Sequence, residues 1–429
     1  MTETVLLVGG GGREHAIARA LAATGATLYA CAGNRNPGIA RLADGFAEVE
    51  GTDVDGVVEY ADEVGATLAV VGPEGPLAAG LVDVLEDAGV YAFGPRQAEA
   101  RIETDKAWQR QFMREQGISG CPDFETFENA DAACEYLDTY DGDVAVKPRG
   151  LTGGKGVRVT GDQLSKAEAT EYVRESGYDE WVIEERLVGE EFTVQAFVAN
   201  GSVRVSPAVQ DHKRAYEGDE GPNTGGMGSY SDAGFELPFM TEDDYDEAAR
   251  ILRETVDALP EYRGILYGQF MLTADGPKVV EFNARFGDPE AMNTLPVMRT
   301  EFLDVLTAAR DGEELPPLEF DARATVCKYG VPEGYPTDPQ AGTKLTIDEE
   351  SVGEALLFYA SVDEREDGIY TTTSRAFAVV GVAESIGGAE KIAESALESA
   401  PDGVRVRHDV GKPEVVGRRV DHMQQLRGE

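Results

Sequence analysis

The first hundred residues alternate between apolar, strand-like runs and amphipathic, helix-like runs. Residues 4–9 form a continuous apolar run, and residues 13–24 then place apolar side chains on one helical face. Strand-like runs recur at 67–72 and 90–94 after further helix-like runs. A strand that is covered by helices on both faces shows an unbroken apolar run, as in parallel sheets. The alternation therefore predicts that residues 1–101 fold as a doubly wound α/β domain with a parallel sheet.

Two further regions follow. Residues 102–315 begin with a helix-like run that Thr104 would cap, and they contain a glycine-rich segment, 211–240, with little periodicity. A segment that long without regular structure is usually either functional or disordered. Leu315-Pro316-Pro317 indicates a linker, and residues 320–429 carry the strand and helix signals of a third, α+β domain.

The charge of the chain restricts its partners. The chain carries 80 Asp and Glu against 38 Lys and Arg, a net charge of −42. Such a charge repels the phosphates of nucleic acid and of anionic membranes, so neither is expected as a partner. The basic residues comprise only 10 Lys beside 28 Arg. We predict a halophilic protein, because molar salt screens repulsion to within about 3 Å; an acidic but ordinary surface is the alternative.

Neither a membrane span nor a secretory signal is expected. The chain has no run of 18 apolar residues, and residues 1–9 lack a basic leader. The four cysteines are far apart and form no Cys-x-x-Cys pair, which argues against a zinc ribbon or a disulfide framework. The sequence therefore predicts a cytoplasmic location, where thiols stay reduced.

A turn of four glycines, residues 9–12, joins the first strand-like run to the first helix-like run. Backbone N–H groups at the start of a helix attract anions. The spacing departs from the dinucleotide fingerprint, because Glu14 or His15 stands where the last glycine would be. We predict a phosphate-bearing ligand at this turn rather than a nicotinamide dinucleotide. The alternative is that the glycines only allow strand and helix to pack closely.

A second glycine-rich element runs from Lys147 to Gly156. Its glycines would let backbone amides approach phosphate oxygens, and Lys147 and Lys155 would supply positive charge. The element is not a Walker A loop, because Gly156 occupies the Ser or Thr position and Arg149 the position of the first glycine. It predicts phosphate binding, with a flexible hairpin carrying solvated lysines as the alternative.

Residues 267–273 and 278–283 indicate a hairpin whose second strand places Glu281 and Asn283 on the same face. A carboxylate and an amide oxygen two residues apart suit a hard cation such as Mg²⁺. Gln269, on the first strand, would offer another oxygen. Polar residues on a solvated face are the alternative, which fits poorly with the flanking apolar runs.

Two other polar runs are less specific by themselves. Residues 184–191 contain four glutamates beside the phosphate loop, and such acids would repel a nucleotide unless they accept from its base or ribose. An acidic surface edge explains that run better on its own. Asp211, His212 and Lys213 lie in the long segment, where His212 would serve as a base, a ligand or a structural donor.

Together and in this order, these segments resemble the phosphoribosylamine–glycine ligase family, ATP-grasp enzymes of purine synthesis. The resemblance spans the chain, and its most specific carriers are residues 221–228 and 281–290. It implies a central ATP-grasp core with a lid at about residues 118–190, between the N-terminal domain and the C-terminal domain. It also implies ATP, glycine and 5-phosphoribosylamine as substrates and Mg²⁺ or Mn²⁺ as the metal. We expect a monomer.

The resemblance also implies roles for individual residues. Gln269, Glu281 and Asn283 would hold the metal, and Asp211, Lys213 and Arg285 would act on the reacting groups. The residues that would bind ATP are Lys106, Lys147, Gly153, Gly154, Lys155, Gly156, Glu184, Glu185, Leu187 and Glu191. The residues that would bind the other substrates are Gly9, Gly10, Gly11, Gly12, Arg13, Asp211, His212, Lys213, Gly225, Gly226, Met227 and Asp288.

Within these sets the expected contacts are specific. Glu184 would approach the adenine and Glu191 the ribose. Arg285 would pair with the carboxylate of glycine, and Asp211 or Asp288 would take its ammonium group. The glycine turn would bind the phosphate of 5-phosphoribosylamine, and glycyl phosphate would be the intermediate.

The sequence departs from the family pattern at three places. Pro148 and Arg149 stand where Ala and Asp are usual, Gln269 occupies a position that is often Gly, and the connection at 170–181 is short. Three other functions fit parts of the sequence: an ATP-grasp carboxylase, an NAD-dependent oxidoreductase and a non-catalytic nucleotide-binding regulator. The long segment argues against the first, the failed fingerprint against the second, and the retained lysines and acids against the third.

Overall fold

The computed structural model describes residues 3–151, 156–398 and 401–428. The N-terminal region comprises β1 (Thr4–Val8), α1 (Gly12–Ala22), β2 (Thr27–Ala32), α2 (Pro37–Leu42), β3 (Gly45–Glu48), α3 (Val54–Glu63), β4 (Leu68–Val71), α4 (Glu74–Ala78), α5 (Leu81–Asp87), β5 (Tyr91–Phe93) and α6 (Gln97–Thr104). Its strands lie in the order β3-β2-β1-β4-β5, and every neighbouring pair is parallel. The predicted doubly wound parallel sheet is confirmed.

The order of these strands positions the first part of the site. β1 is central, and Val5, Leu6, Leu7 and Val8 are all fully buried, as a strand covered on both faces requires. The chain moves outward from β1 to β3 and then crosses back to β4, so the carboxyl ends of β1 and β4 border a crevice. The glycine turn leaves β1 at that edge.

A small antiparallel sheet follows helix α7 (Lys106–Gln116). Its elements are β6 (Phe124–Phe127), α8 (Ala130–Thr139), β7 (Val144–Pro148), β8 (Arg158–Val159), α9 (Lys166–Glu175) and β9 (Trp181–Glu185). The strands lie in the order β6-β9-β7-β8, and Val146, Trp181 and Ile183 pack with residues of α8 and α9 in a separate apolar cluster. This unit has its own core, as the predicted lid requires.

A second antiparallel sheet faces the small one. It consists of β10 (Glu190–Ala199), β11 (Ser202–Val205), β16 (Gly264–Thr273) and β17 (Gly276–Asn283), with helix α10 (Glu242–Asp257) against it. The predicted hairpin is confirmed as β16 and β17, whose register sets Gln269 opposite Glu281. Side chains predicted to hold a metal therefore come from neighbouring strands.

The remaining α-helices and strands form a further part of the chain, within residues 210–427. Its elements are β12 (Gln210–Asp211), β13 (Arg214–Tyr216), β14 (Glu220–Asn223), β15 (Gly228–Ser231), α11 (Glu290–Thr294), α12 (Phe302–Arg310), β18 (Ala324–Pro332), β19 (Lys344–Leu345), β20 (Leu356–Tyr359), β21 (Val362–Arg365), β22 (Gly368–Thr371), β23 (Phe377–Ala383), α13 (Ile386–Leu397), β24 (Val404–Val406) and α14 (Pro413–Arg427). One sheet has the order β12-β15-β18-β23-β20, with β24 also pairing with β18; another has the order β19-β22-β21.

The glycine-rich segment 211–240 is more regular than its sequence suggests. It contributes strands, and β15 pairs with β18 from Gly228 opposite Lys328 to Ser231 opposite Thr325. One sheet thus contains residues from both sides of the predicted linker at 315–317. The division into 1–101, 102–315 and 320–429 stays a prediction.

Buried polar contacts dock the C-terminal region onto the glycine turn. The Asn36 amide donates to the carbonyl oxygens of Gly10, Tyr359 and Ala360 at 2.9–3.0 Å. Nδ1 of His15 accepts from the backbone N–H of Tyr359 at 2.9 Å, and burial lowers the pKa of His15 to about 3. His15 is therefore a neutral structural acceptor at neutral pH.

None of the helices in the described ranges combines the length and the apolar character that crossing a membrane requires.

Candidate active site

One cleft of about 550 Å³ is lined by all three regions. The predicted site residues that line it are Gly10, Gly11, Gly12, Arg13, Lys147, Glu184, Glu185, Leu187, Glu191, Asp211, Lys213, Gly225, Gln269, Glu281, Asn283, Arg285 and Asp288. Gly9, Lys106, Gly156, His212, Gly226 and Met227 are not among the lining residues. Gly153, Gly154 and Lys155 lie outside the described residues.

The glycine turn is less open to an anion than its sequence indicates. The N–H of Gly11 donates to Oε2 of Glu14 at 2.7 Å, and the N–H of Gly9 donates to the carbonyl of Cys31 at 2.9 Å. Arg13 pairs with Glu14 at 2.6 Å and donates to the carbonyl of Phe286 at 3.1 Å. Glu14 therefore uses two of the groups that a phosphate would need, and it places a carboxylate in the turn. In the sequence, Glu14 stands three residues after the N-cap residue of the first helix, and a glutamate at this spacing is the signal for such a contact.

A buried ionic cluster lies on the lid side of the cleft. Glu184 accepts two hydrogen bonds from Arg110, at 2.7 and 3.0 Å, and pairs with the Lys147 ammonium at 2.8 Å. Burial alone raises the pKa of Glu184, but Arg110 and Lys147 outweigh burial and the pKa is lowered. Glu184 is thus the counter-ion shared by two buried cations, and this geometry favours that role over the predicted contact with adenine.

Lys106 lies at the base of the second glycine-rich element. It begins α7, is buried, and donates from its ammonium to the carbonyl of Gly150 at 2.8 Å. At the far end of the element, the carbonyl of Gly156 accepts from the hydroxyl of Tyr172 at 2.8 Å. Gly150 and Gly156 are therefore anchored to helices α7 and α9.

The connection between the two sheets borders the cleft with main chain and acids. Oε1 of Glu185 accepts from the N–H of Asp123 at 3.0 Å, and Leu187 follows it along the cleft. Glu191 lies on β10 and accepts from the amide of Gln269 at 2.8 Å. This border offers backbone polar groups and two partly engaged carboxylates to a ligand.

Glu281 and Asn283 project from β17 into the cleft, with 3.5 Å between Oε1 of Glu281 and the amide nitrogen of Asn283. Burial raises the pKa of Glu281, but nearby lysines outweigh burial and lower it, led by Lys213. No Lys or Arg in the described part of the chain forms an ion pair with this carboxylate. The Gln269 oxygen accepts from the Lys213 ammonium. A cation therefore fits Glu281 and Asn283 better than it fits Gln269.

Asp211 is an acid that is only partly compensated by its surroundings. Its Oδ1 is buried and accepts no hydrogen bond from the described residues. Burial, and then the neighbouring Glu290 carboxylate, raises the pKa of Asp211 well above its usual range. A bound cationic group at this position would relieve the repulsion between the two acids.

His212 and Met227 form the support behind the cleft. The N–H of His212 donates to the carbonyl of Gly228, and its carbonyl accepts from the N–H of Met227, both at 2.8 Å. Burial, and then Arg407, lowers the pKa of His212 to about 3, and neither ring nitrogen has a partner among the described residues. The structure does not bring either side chain to the cleft, so their predicted direct contact with substrate is not supported by this geometry.

Arg285 and Asp288 are already ion-paired. Arg285 lies 2.9 Å from Glu103 and 3.4 Å from Glu74, whose carboxylate has its pKa lowered to about 2, chiefly by Arg285. Asp288 pairs with Arg375 at 3.2 Å and accepts from the hydroxyl of Tyr329. Asp211 is therefore better suited than Asp288 to take an ammonium group.

Three family models match consecutive parts of the chain. The phosphoribosylglycinamide synthetase N domain matches residues 3–103, its ATP-grasp (A) domain residues 104–291 and its C domain residues 325–413. The chain belongs to the phosphoribosylglycinamide synthetase family. The resemblance that the motifs carried is confirmed.

Relatives of this synthetase family match over nearly their whole length. Phosphoribosylamine–glycine ligase of Methanosarcina barkeri is 52% identical over 438 residues, which cover 99% of this chain and 100% of that protein. The corresponding ligase of Methanococcoides burtonii is 53% identical over 433 residues, covering 99% of each. The crystal structure of phosphoribosylamine–glycine ligase from Thermotoga maritima is 28% identical, with a TM-score of 0.80, covering 95% of this chain and 99% of that one.

The synthetase fold also extends beyond the family. The biotin carboxylase domain of the Hydrogenobacter thermophilus 2-oxoglutarate carboxylase has a TM-score of 0.74 at 16% identity, covering 100% of this chain and 96% of that one. At such identity the likeness concerns the fold alone. Because one fold serves both groups, the chemistry must be argued from the side chains of the cleft.

The synthetase cleft has a C-terminal wall that its sequence did not reveal. Ser361, Ser374 and Arg375 line it. The Arg375 guanidinium donates to the carbonyls of Gly226 and Asp288, at 3.1 and 3.0 Å. No local motif marks these residues, since each reaches the cleft only through the pairing of distant strands.

Proposed function

We propose that the protein joins glycine to 5-phosphoribosylamine at the expense of ATP, forming glycinamide ribonucleotide, ADP and phosphate in purine biosynthesis. One observation carries the proposal: a single cleft combines buried lysines, a carboxylate beside an amide with no ion-pair partner among the described residues, and a buried acid oxygen that accepts no hydrogen bond from those residues. These groups match a nucleotide phosphate chain, a divalent metal and an ammonium group, in that order. We further propose a cytoplasmic, halophilic monomer.

ATP would occupy the space between the two antiparallel sheets. Lys106 and Lys147 are buried at its lid side, where their charge would stabilise phosphate oxygens. The main chain near Glu185 and Leu187 would meet the base, and Glu191 the ribose. Glu184 would keep Lys147 charged and in place rather than contact adenine.

A divalent metal would be held by Glu281 and Asn283. Their oxygens are the ligand type that Mg²⁺ prefers, and phosphate oxygens of ATP would complete its coordination. No group of three or more His, Cys, Asp or Glu side chains suited to a metal occurs among the described residues, so the protein alone offers an incomplete site. When bound, the metal would neutralise charge on the phosphates. Mg²⁺ and Mn²⁺ both fit these ligands.

Glycine would bind next to that metal. Its ammonium would lie at Asp211, whose buried oxygen has no partner among the described residues. Its carboxylate would attack the γ-phosphorus of ATP, giving glycyl phosphate and ADP. Lys213, which lies at the metal face, would neutralise the new acyl phosphate.

5-Phosphoribosylamine would enter from the opposite end, between the glycine turn and the C-terminal wall. Its amine would attack the carbonyl carbon of glycyl phosphate and displace phosphate. Closure of the lid would exclude water, which would otherwise hydrolyse the acyl phosphate. Glu14 occupies the N–H of Gly11, and the Ser361 hydroxyl is hydrogen-bonded to the Thr372 hydroxyl at 2.8 Å, so Ser374 is the additional hydroxyl donor that this end offers among the described lining residues.

The test is an isotope experiment in buffer with high KCl. Glycine labelled with oxygen-18 in its carboxylate is supplied with ATP and freshly prepared 5-phosphoribosylamine. We expect phosphate release to require both substrates, the product mass to match glycinamide ribonucleotide, and the released phosphate to carry one oxygen-18 atom. The label follows because the attacking oxygen stays with phosphorus when the amine displaces phosphate.

Two results would overturn the proposal. Phosphate release that depends on bicarbonate instead of glycine would indicate a carboxylase. Product formation with unlabelled phosphate would exclude glycyl phosphate as the intermediate.

A further inference from the structure

An ionic contact connects the second glycine-rich element to helix α7. Arg149 directly follows β7, and its Nε and Nη2 each donate to a different oxygen of Asp105 at 2.8 Å. Its Nη1 donates to Glu180 at 2.8 Å. Two parallel bonds to one carboxylate require the planar fork of an arginine guanidinium. The contact therefore fixes the orientation of the chain at residue 149, not only its charge.

Two hydrogen bonds to backbone carbonyls join the same two segments. The N–H of Lys106 donates to the carbonyl of Arg149 at 2.9 Å, and the Lys106 ammonium donates to the next carbonyl, Gly150, at 2.8 Å. Asp105 also caps α7 by accepting from the N–H of Trp108 at 3.0 Å. The position of the Lys106 ammonium thus depends on how residues 149 and 150 lie against Asp105.

The ionic contact persists across neutral pH. Burial by itself raises the pKa of Asp105, but the bonds from Arg149 and from the N–H of Trp108 outweigh burial and lower it to about 2. The Asp105 bond raises the pKa of Arg149 above its ordinary value. Arg149 is one-third exposed, so the pair contributes little to global stability. A function other than stabilising the fold accounts better for so specific a geometry.

We propose that Arg149 is a positioning residue for ATP. It holds Gly150 against the start of α7 and so keeps the Lys106 ammonium at the base of the glycine-rich element, beside the phosphate site. This inference rests on the proposed function. Neither Arg149 nor Lys106 is among the residues that line the cleft, and Arg149 acts through Lys106, whose charge reaches the Glu281 carboxylate in the cleft.

The test compares two arginine substitutions. Arg149→Met removes the contact, and Arg96→Met is the control, because Arg96 in the N-terminal domain also makes two hydrogen bonds to a carboxylate, both to Oε2 of Glu86, at 2.7 and 2.9 Å. Titration calorimetry measures the Kd for ATP, and steady-state kinetics measures KM for each substrate. We expect Arg149→Met to raise Kd and KM for ATP about tenfold, with KM for glycine unchanged and Arg96→Met without effect.

Two further variants separate positioning from folding. Arg149→Lys keeps the charge but lacks the fork, so we expect an intermediate Kd for ATP. Asp105→Ser keeps an oxygen that caps α7 but removes the ionic partner of Arg149, so it should weaken ATP binding as Arg149→Met does. It supplies the test if Arg149→Met does not fold.

An unchanged Kd for ATP in a folded Arg149 or Asp105 variant would overturn the inference, as would an equal rise in KM for all three substrates. The calorimetric readout does not depend on ligation. A wild-type protein that binds ATP without forming glycinamide ribonucleotide would therefore refute the proposed function while leaving the role of Arg149 measurable.

Discussion

The variant Glu184→Gln tests whether Glu184 serves as a counter-ion or contacts the base. In the structure Glu184 is ion-paired with both Arg110 and Lys147, whose side chains are only 1% and 6% exposed. Removing one partner of a buried ion pair costs about 3–5 kcal/mol, because the remaining charge is left uncompensated. Glutamine keeps the shape and one acceptor oxygen, so we expect about 3 kcal/mol, at the lower end of that range.

The assay is urea unfolding followed by tryptophan fluorescence. Both tryptophans report on the region concerned: Trp181 is fully buried in β9, three residues before Glu184, and Trp108 lies in α7 with Arg110. With a slope of about 2 kcal/mol per molar urea, 3 kcal/mol lowers the unfolding midpoint by about 1.5 M. Glu185→Gln is the control. Glu185 lies on the same strand as Glu184, but its side chain accepts only from the backbone N–H of Asp123 and pairs with no described cation.

The pH dependence has a definite sign. The native pKa of Glu184 is lowered, so its contribution is complete above the unfolded value of about 4.3 and is lost as pH falls through the native value. The difference between wild type and Glu184→Gln should therefore shrink below about pH 4. An unfolding midpoint equal to that of wild type at pH 7 would refute the counter-ion role, and a selective loss of ATP relative to GTP would restore the contact with adenine.

Three other outcomes are expected. Glu281→Gln should lower turnover by about two orders of magnitude at limiting Mg²⁺; near-full turnover would remove the metal assignment. In Gly11→Val the new Cβ would lie 2.7 Å from Oε2 of Glu14, so KM for 5-phosphoribosylamine should rise while KM for glycine holds; unchanged kinetics in a folded protein would remove the glycine turn from that site. The melting temperature should rise with KCl, because the charge of −42 is unscreened over about 30 Å at 0.01 M salt; a flat profile would contradict the halophilic interpretation.

Local pattern was enough to predict the elements that define the fold. The apolar run of β1 and the alternation of β17 follow from the side-chain periods of strands, and each is visible within a few neighbouring residues. The hairpin that carries Glu281 and Asn283 was predicted for the same reason. The family resemblance extended this to the order of the three regions, since its motifs occur in the same order along the chain.

Tertiary structure alone decided which polar groups are free to bind a ligand. Arg375 bonds to Asp288, 87 residues away in the chain, and Glu184 pairs with Arg110, 74 residues away. No short-range pattern predicts such partners. The electrostatics followed the same rule: Asp211 and Glu184 are both acids in predicted site segments, yet their pKa values shift in opposite directions. Burial penalises both charges, and only the arrangement of distant chain segments places compensating cations beside Glu184 and another carboxylate beside Asp211.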